Sequence, residues 1–348
     1  MAGLGFEYPE PRTNISITEA LDANRSWHTE FVTRSDGLGV IRTVVSTLRQ
    51  AQDGARSTVA NISILVRMTP PASYSLDDDL AVAIRLADAA DTISRDRFRA
   101  LDLVVTTKPD RTPVTDADQA VERVIRSGLA DSRPSDGILG EEYGTEGPTD
   151  RQWIIDPIDG TANFLRGVPI WATLISLAID GVPVLGVVSA PALGKRWWAT
   201  TGGGAWMTDE RTPGAAPIRL QVSRVSDLTD ASLSYNSIQQ WDQAGHLDQL
   251  VALSRQVWRT RAYGDMWSYM LLAEGLIDIA GEFDLQPYDM AALAPIVEES
   301  GGRFTSVDGQ DGPWHGSALA TNGILHQATL AALQAPTNRA PTNRTPRT

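Results

Sequence analysis

Residues 153–164 constrain the fold of this chain most, because an apolar run there ends in two acids, a proline and a glycine. Such a run is typical of a buried strand and predicts that Asp156 lies at the strand's end. Asp159, Gly160 and Thr161 then fit the start of a helix, whose backbone N–H groups attract anions. Taken alone, the same residues also fit an ordinary Asx-type turn. The stretch indicates a functional site only if other parts of the chain supply matching groups.

Two further groups of acids supply such partners. Glu141 and Glu142 follow a short apolar run at residues 138–139, and Asp289 opens a run at residues 289–300 whose pattern predicts one helix. Carboxylate oxygens are the ligands that hard cations prefer. The chain has no cysteine and only four histidines, none of them paired at ligand spacing. Mg²⁺ is therefore the expected metal.

The three acidic motifs together resemble those of the inositol monophosphatase family of magnesium-dependent phosphatases. They are Gly-Glu-Glu at residues 140–142, Asp-Pro-Ile-Asp-Gly-Thr at residues 156–161, and Asp289. The resemblance covers about residues 76–335. It implies a mixed α/β fold, the layered α/β/α/β/α sandwich of the inositol monophosphatase and fructose-1,6-bisphosphatase type, with two subdomains and a cleft between them. It also implies hydrolysis of a small-molecule phosphate ester.

The resemblance further implies a set of metal ligands. Two Mg²⁺ ions are expected, held by five groups: Glu141, Asp156, the Ile158 carbonyl, Asp159 and Asp289. In this interpretation Asp156 bridges the two ions. Glu141 or Glu142 is the expected position of a weaker third ion.

The expected catalytic groups, again by resemblance, are Glu141, Asp156, Asp118 and Thr161. The Thr161 hydroxyl, polarised by Asp118, orients the attacking water, and the N–H groups of Gly160 and Thr161 hold the phosphate. Lys108 lies in a proline-rich polar stretch that resembles the family's mobile active-site loop. It is expected to face the site from that loop, or else to be a solvated lysine.

Three runs resemble the histidinol-phosphatase branch of the family: residues 261–265, 286–289 and 295–305. Tyr288 stands where the animal inositol monophosphatases carry tryptophan. Histidinol phosphate has an amine and an imidazole, so a pocket with additional carboxylates suits it better than it suits a polyol. Asp265 and Glu282 are the candidates for that role. Their alternative roles are a helix cap for Asp265 and a surface acid at a strand end for Glu282.

The implied substrate-binding set is Asp159, Gly160, Thr161, Asp265, Glu282 and Asp289. Other substrates stay open within the enzymes of this family: an inositol phosphate, a sugar bisphosphate or a phosphoadenosine nucleotide. In a different class, the chain is a catalytically idle phosphoester-binding protein. Retention of all four acidic ligands argues against this second class.

The composition excludes some classes of partner. The formal net charge is −13 and no basic stripe offsets it, which argues against nucleic-acid binding. A hydrophobic fraction of 42% without an apolar run of about 18 residues favours a globular protein that spans no membrane. The lack of cysteine excludes disulfides and fits a cytoplasmic location. A homodimer is expected from the family's habit.

The two ends of the chain lie outside the resemblance. Residues 1–67 carry only short apolar runs, at residues 41–48 and 59–66. Met68 is a candidate for the true or an alternative start, and the other interpretation is a partly ordered extension. Residues 335–339 and 340–344 repeat Ala-Pro-Thr-Asn-Arg, and residues 336–348 have no hydrophobic anchor, which predicts a disordered tail.

The pattern also predicts the first helix of the matching region. Ser75 is a suitable N-cap, and the acids at residues 77–79 are expected to interact with the helix dipole in the first turn. Leu80, Ile84, Ala87 and Ile93 recur on one face of this helix.

Overall fold

The computed structural model describes residues 74–107, 113–212 and 214–336, together with the backbone of three strands nearer the N-terminus. The chain divides into two compact units, Met1–Ser73 and Tyr74–Thr348. In the first unit, an antiparallel sheet consists of β1 (Arg25–Thr33), β2 (Gly39–Thr47) and β3 (Val59–Leu65). The short apolar runs of this region coincide with β2 and β3 to within a few residues. The predictions for Lys108 and for residues 337–348 fall outside the described residues.

The second unit alternates helices and strands. Its helices are α1 (Leu76–Arg97), α2 (Asp116–Ser132), α3 (Thr161–Leu165), α4 (Ile238–Gln243), α5 (Leu247–Ser254), α6 (Asp265–Ala273), α7 (Pro287–Met290), α8 (Leu293–Glu299) and α9 (His326–Gln334). Its first strands are β4 (Val105–Thr107), β5 (Pro113–Thr115), β6 (Gly137–Gly140), β7 (Gly144–Glu146), β8 (Arg151–Asp159), β9 (Ala172–Ile179), β10 (Val182–Ala190), β11 (Lys195–Thr200) and β12 (Gly204–Asp209). The remaining strands are β13 (Ile218–Arg219), β14 (Ser232–Tyr235), β15 (Arg259–Arg261), β16 (Ile279–Phe283), β17 (Arg303–Thr305) and β18 (Ser317–Thr321).

Two large sheets organise this unit. The first has eight strands in the order β13-β12-β11-β10-β9-β8-β6-β7, and the second has five in the order β15-β14-β16-β18-β17. Helices α1 and α2 cover the outer face of the first sheet. Helices α6 and α8 pack between the two sheets, and α5 and α9 cover the far face of the second. The expected five-layer α/β/α/β/α sandwich is confirmed.

Helix α1 begins as predicted, but its buried face differs. Ser75 and Asp78 form a capping box, which satisfies amide groups at the helix start. Asp79 is fully buried rather than placed against the dipole, and it pairs with Arg133 at 2.7 Å and Arg151 at 2.5 Å. Of the predicted face, Ala87 is fully buried, whereas Leu80, Ile84 and Ile93 are only half-buried and pack against the core. The other hydrophobic residues that α1 buries lie beside this face: Val82, Ala83, Leu86 and Ala90.

The single helix expected at residues 289–300 is two helices, α7 and α8. Pro295 is the main cause, because it has no N–H to donate to the carbonyl of Ala291 and its ring would collide with that carbonyl in a continuous helix. The Ala291 carbonyl instead accepts a hydrogen bond from the Ser176 hydroxyl at 3.0 Å. The break separates Asp289, at the end of α7, from the helix that packs in the core.

No helix in the described part of the chain is long and apolar enough to cross a membrane.

A buried histidine at the start of α9 makes the stability depend on pH. The His326 ring lies 3.1 Å from the Thr305 hydroxyl and 3.2 Å from the Thr321 hydroxyl. Burial, and after it the charge of Arg303, lowers the pKa of His326 to about 4. The His326 side chain of the unfolded chain therefore binds a proton near pH ~6.5, whereas that of the folded chain stays neutral there.

Lowering the pH should accordingly destabilise the protein through His326. The contribution is fully present above pH ~6.5 and is lost as the pH falls toward 4, so we expect about 1–2 kcal/mol less stability at pH 5 than at pH 7 after allowance for solvent screening. Urea unfolding at both pH values measures it, and His326→Gln should remove that part of the loss. His315→Gln is the matched control because His315 is exposed. An identical pH effect in His326→Gln would contradict the assignment.

Candidate active site

Strand β8 delivers two acids to the same end of the eight-stranded sheet. Its pairing with β9 is regular up to Asp156, shifts, and resumes at Asp159. Pro157 lies at this irregularity because it has no N–H for the ladder, and its carbonyl accepts a hydrogen bond from Thr173 at 2.8 Å. The strand therefore runs to Asp159 rather than ending at Asp156 as expected from the sequence. Both carboxylates are buried, with 2% and 8% of their surface exposed.

Asp156 and Asp159 meet Asp289 in a group of three carboxylates. Oxygens of the three side chains all lie within 4.8 Å of one another. Asp156 Oδ1 is buried and has no hydrogen-bond partner among the described residues. Burial raises the pKa of Asp156 well above its usual range, and the charges of Glu141, Asp159 and Asp289 raise it further. Oxygen ligands at this spacing, one of them with an unused buried atom, fit a divalent cation that would offset their repulsion.

A second group of carboxylates lies beside the first. Strand β6 runs parallel to β8, so their carboxyl ends meet at the same edge of the sheet. The Glu141 N–H donates to the Ile155 carbonyl at 3.2 Å, which ties the turn after β6 to β8. Carboxylate oxygens of Asp118, Glu141 and Glu142 lie within 4.8 Å of one another. The structure thus brings Glu141 next to Asp118 and Glu142, and its charge also acts on Asp156.

The Thr161 hydroxyl is held at the edge of these carboxylates. It lies 3.2 Å from Asp118 Oδ1 and 3.0 Å from the Ile158 carbonyl oxygen, and either oxygen can accept its hydrogen bond. Asp118 Oδ2 accepts hydrogen bonds from the backbone N–H and the hydroxyl of Thr115, at 2.7 and 2.6 Å. Burial raises the pKa of Asp118 in spite of these hydrogen bonds. Asp118 therefore caps α2 and binds Thr161 at the same time.

The helix that follows this motif is short. Helix α3 has five residues, and Gly160 precedes it with a φ of 82°, a left-handed conformation that favours glycine. The N–H groups of Asn163 and Phe164 both donate to the Gly160 carbonyl. A single turn has little macrodipole, so any attraction of an anion here comes from the local N–H groups at residues 160–162.

Asp265 is fixed next to this turn. Gly264 and Asp265 both have a positive φ, 77° and 47°, in the turn that leads into α6. The turn directs the Met266 N–H to Asp159 Oδ2 at 2.8 Å. Asn163 Nδ2 donates to Asp265 Oδ2 at 2.8 Å. Burial raises the pKa of Asp265 to about 6, although the Asn163 hydrogen bond opposes this shift.

Glu282 lies on β16 with only 4% of its surface exposed, so its alternative role as a surface acid is wrong. Asn236 Nδ2 donates to Glu282 Oε1, and the Tyr269 hydroxyl donates to Glu282 Oε2 at 3.2 Å. Burial raises the pKa of Glu282 to about 8, and the charge of Asp265 contributes next. A carboxyl of this kind favours a cationic partner, because a positive charge would stabilise its ionised form.

The sequence interpretation did not include four residues that hold the site together. They are Asn163, Asn236, Tyr269 and Glu122. Asn163 belongs to the central motif itself, and Glu122 is a charged residue on the apolar stripe of α2. Both could therefore have been recognised as site residues from the sequence. Asn236 and Tyr269 come from separate elements and meet Glu282 only in the folded chain.

The five alternating layers define a layered α/β protein. They bring buried carboxylates to the ends of two neighbouring strands, which form a site of the kind that binds divalent cations. The profile of the inositol monophosphatase family matches residues 75–338, and the chain belongs to this family. The family is metal-dependent, in agreement with the two carboxylate groups.

Individual relatives resemble the chain over most of its length. It is 56% identical over 259 residues to the histidinol-phosphatase of Mycobacterium tuberculosis, which covers 74% of this chain and 98% of that protein. It is 54% identical over 260 residues to the histidinol-phosphatase of Streptomyces coelicolor, with 74% and 97% covered. The solved structure of an inositol monophosphatase from Zymomonas mobilis superposes with a TM-score of 0.66 at 32% identity, over 75% of this chain and all of that one.

Proposed function

We propose that this protein is a Mg²⁺-dependent phosphate monoester hydrolase whose substrate is histidinol phosphate. The observation that carries the substrate is the pair of acids, Asp265 and Glu282, beside the carboxylates that fit a cation. A phosphate ester that also carries an amine and an imidazole uses both features. The identity to two histidinol-phosphatases supports the same substrate.

The acids and one carbonyl divide between two ions in this proposal. Glu141, Asp156 and the Ile158 carbonyl would hold the first, and Asp156, Asp159 and Asp289 would hold the second. A third ion is assigned to Glu141 or Glu142. When bound, Mg²⁺ supplies positive charge for the phosphoryl oxygens and lowers the pKa of a water from ~15.7 toward neutrality.

The remaining steps use groups of the chain itself. The Thr161 hydroxyl donates a hydrogen bond to Asp118 or to the Ile158 carbonyl, which leaves its oxygen free to accept a hydrogen bond from the attacking water and to orient it. Thr115 holds the Asp118 carboxylate, so Asp118 keeps the Thr161 hydroxyl in one orientation. The N–H groups of Gly160 and Thr161 hold a phosphate oxygen.

The other end of the substrate is recognised by acids fixed in advance. Asn236 and Tyr269 hold the Glu282 carboxyl, and Asn163 holds that of Asp265. Each carboxylate oxygen has a second lone pair, which accepts a hydrogen bond from the amine or the imidazole. Because the acids are already oriented, little conformational entropy is lost when the substrate binds.

Phosphate release across a panel of esters tests this function. Histidinol phosphate should be the preferred substrate over inositol 1-phosphate, fructose 1,6-bisphosphate and phosphoadenosine phosphate. Glu282→Gln or Asp265→Asn should lower kcat/KM for histidinol phosphate by about ten- to a hundredfold. A charge-assisted hydrogen bond contributes about 1.5–3 kcal/mol. The same variants should hardly change the rate for a phosphate ester without a cationic group.

Glu274→Gln is the matched control, because Glu274 is a charged residue at the opposite end of α6 that pairs with Lys195. Equal losses for both kinds of ester in Glu282→Gln would mean that this acid supports the metals or the fold. A preference for inositol 1-phosphate would instead favour the second candidate function. That candidate is suggested by the likeness to the Zymomonas mobilis enzyme. Release of phosphate from none of the esters would leave the idle phosphoester-binding protein.

A homodimer in the cytoplasm belongs to the same proposal, since the family resemblance implies the dimer and histidinol phosphate is a metabolic intermediate. Light scattering of the full chain tests the assembly.

A further inference from the structure

Glu122 is a charged residue in an apolar environment. It lies on α2 beside Val121 and near Ile125, and its side chain is fully buried. A buried carboxylate is costly unless each oxygen is hydrogen-bonded or paired with a cation. Arg126 Nε lies 2.8 Å from Glu122 Oε1, one helical turn away. The ion pair explains how the charge is tolerated but not why the chain places it there.

The other partners of Glu122 belong to the turn that carries Glu141. Strand β6 ends at Gly140, β7 begins at Gly144, and these two glycines pair directly. The Glu142 N–H donates to Glu122 Oε2 at 2.7 Å, and the Tyr143 N–H donates to Oε1 at 3.2 Å. The remaining N–H of this three-residue turn, that of Glu141, donates to β8. All three amides are therefore fixed, by α2 on one side and by β8 on the other.

Gly140 gives independent support for this function of Glu122. A Cβ added at Gly140 would lie 1.9 Å from Glu122 Oε1, far closer than any real contact. The φ of Gly140 is not positive, so the backbone conformation does not require glycine. Glycine is needed here because the Glu122 carboxylate occupies the space.

We propose that Glu122 is a positioning residue for the metal site, holding the 141–143 turn so that the Glu141 carboxylate faces Asp156. Asp118 precedes Glu122 by four residues on the same face of α2 and binds Thr161. One helix thus aligns the turn after β6 with the turn after β8. The inference rests on the proposed function to the extent that Glu141 is taken as a metal ligand.

Glu122→Gln should weaken metal binding without removing any ligand. The side chain keeps its size, but an NH₂ group replaces one oxygen and faces a backbone N–H that needs an acceptor. Groups that orient metal ligands typically change metal affinity by about 10–100-fold. We expect Mn²⁺ affinity, measured by electron paramagnetic resonance without substrate, to fall by that factor. The Mg²⁺ concentration for half-maximal activity should rise in parallel.

Asp91→Asn is the matched control. Asp91 is another buried carboxylate on a neighbouring helix, paired with Arg196 at 2.7 Å and bonded to Ser189 at 2.8 Å. Its replacement should lower Tm as Glu122→Gln does, yet leave Mn²⁺ affinity unchanged. A purely structural role for Glu122 predicts the same behaviour for both variants.

Gly140→Ala is a second route to the same result, because its Cβ displaces the Glu122 carboxylate while every charge remains. Its Mn²⁺ affinity should fall like that of Glu122→Gln. Adding Gly140→Ala to Glu122→Ala should cause little further loss of Mn²⁺ affinity, since the carboxylate that clashes with the new Cβ is gone. Unchanged Mn²⁺ affinity in folded Glu122→Gln or Gly140→Ala overturns the inference. A wild-type protein that binds no Mn²⁺ overturns the proposed function instead.

Discussion

Replacing Asp156 by Asn should abolish phosphate release, with a loss of at least about 10³-fold in kcat. The carboxylate is the proposed bridge between two ions, and metal ions stabilise charge in such a transition state by several kcal/mol. The variant keeps the shape of the side chain, so the loss would come from charge rather than packing. Steady-state kinetics at saturating Mg²⁺ measures it.

The same variant should behave in the opposite way in a stability measurement. Without metal, Asp156 is a buried acid whose pKa is raised by burial and by neighbouring carboxylates, so a neutral side chain relieves repulsion and Tm should not fall. With Mg²⁺, the wild-type protein gains stability by mass action and the variant should gain little. Asp278→Asn is the control, since Asp278 is buried, accepts hydrogen bonds from the Ser232 N–H and the Ser223 hydroxyl, and belongs to neither group of clustered carboxylates. Wild-type turnover in Asp156→Asn would refute the two-ion proposal.

Thr161→Ala should lower kcat by about 10²-fold or more while leaving Mn²⁺ affinity nearly unchanged. The hydroxyl touches Asp118 and the Ile158 carbonyl and is proposed to orient the water, an effect in the usual range for positioned proton-transfer groups. Pre-steady-state phosphate release at saturating metal isolates this step.

Thr161→Ser should retain most of the activity, because it keeps the hydroxyl. Thr173→Ala, which removes a buried hydroxyl bonded to the Pro157 carbonyl, controls for a general loss of packing. If Thr161→Ala instead lost its metal, the hydroxyl would belong to the ion site rather than to the orientation of water.

The sequence predicted the parts of this fold whose signals are local. The N-cap at Ser75 and the apolar strand before Asp156 depend on neighbours a few residues away, and α1 begins where it was expected, whereas β8 extends three residues beyond its expected end. The sequence also contains the signal for the break between α7 and α8, since Pro295 disfavours a continuous helix. The apolar periodicity across the same residues nevertheless predicted one helix.

Other features depend on contacts that no local pattern encodes. Asp79 was expected to interact with a helix dipole, yet its partners Arg133 and Arg151 lie 54 and 72 residues away in sequence. The partners of Glu282 are Asn236, directly after β14, and Tyr269 on α6, which approach β16 only when the second sheet forms. A charged residue on an apolar stripe predicts a partner, but the stripe alone does not identify it.

The two large sheets contribute different parts of the site, and this affects how the protein can evolve or be redesigned. Asp156 and Asp159 lie on the eight-stranded sheet and Glu141 directly follows its strand β6. Glu282 lies on the five-stranded sheet, and Asn236, which holds it, directly follows strand β14 of that sheet. Residues of the second sheet and of α6 can therefore change without disturbing most of the groups that are proposed to hold the ions. Exchange of β14, β16 and the turn before α6 between relatives is the expected route to a new leaving group, with the hydrolytic chemistry inherited intact.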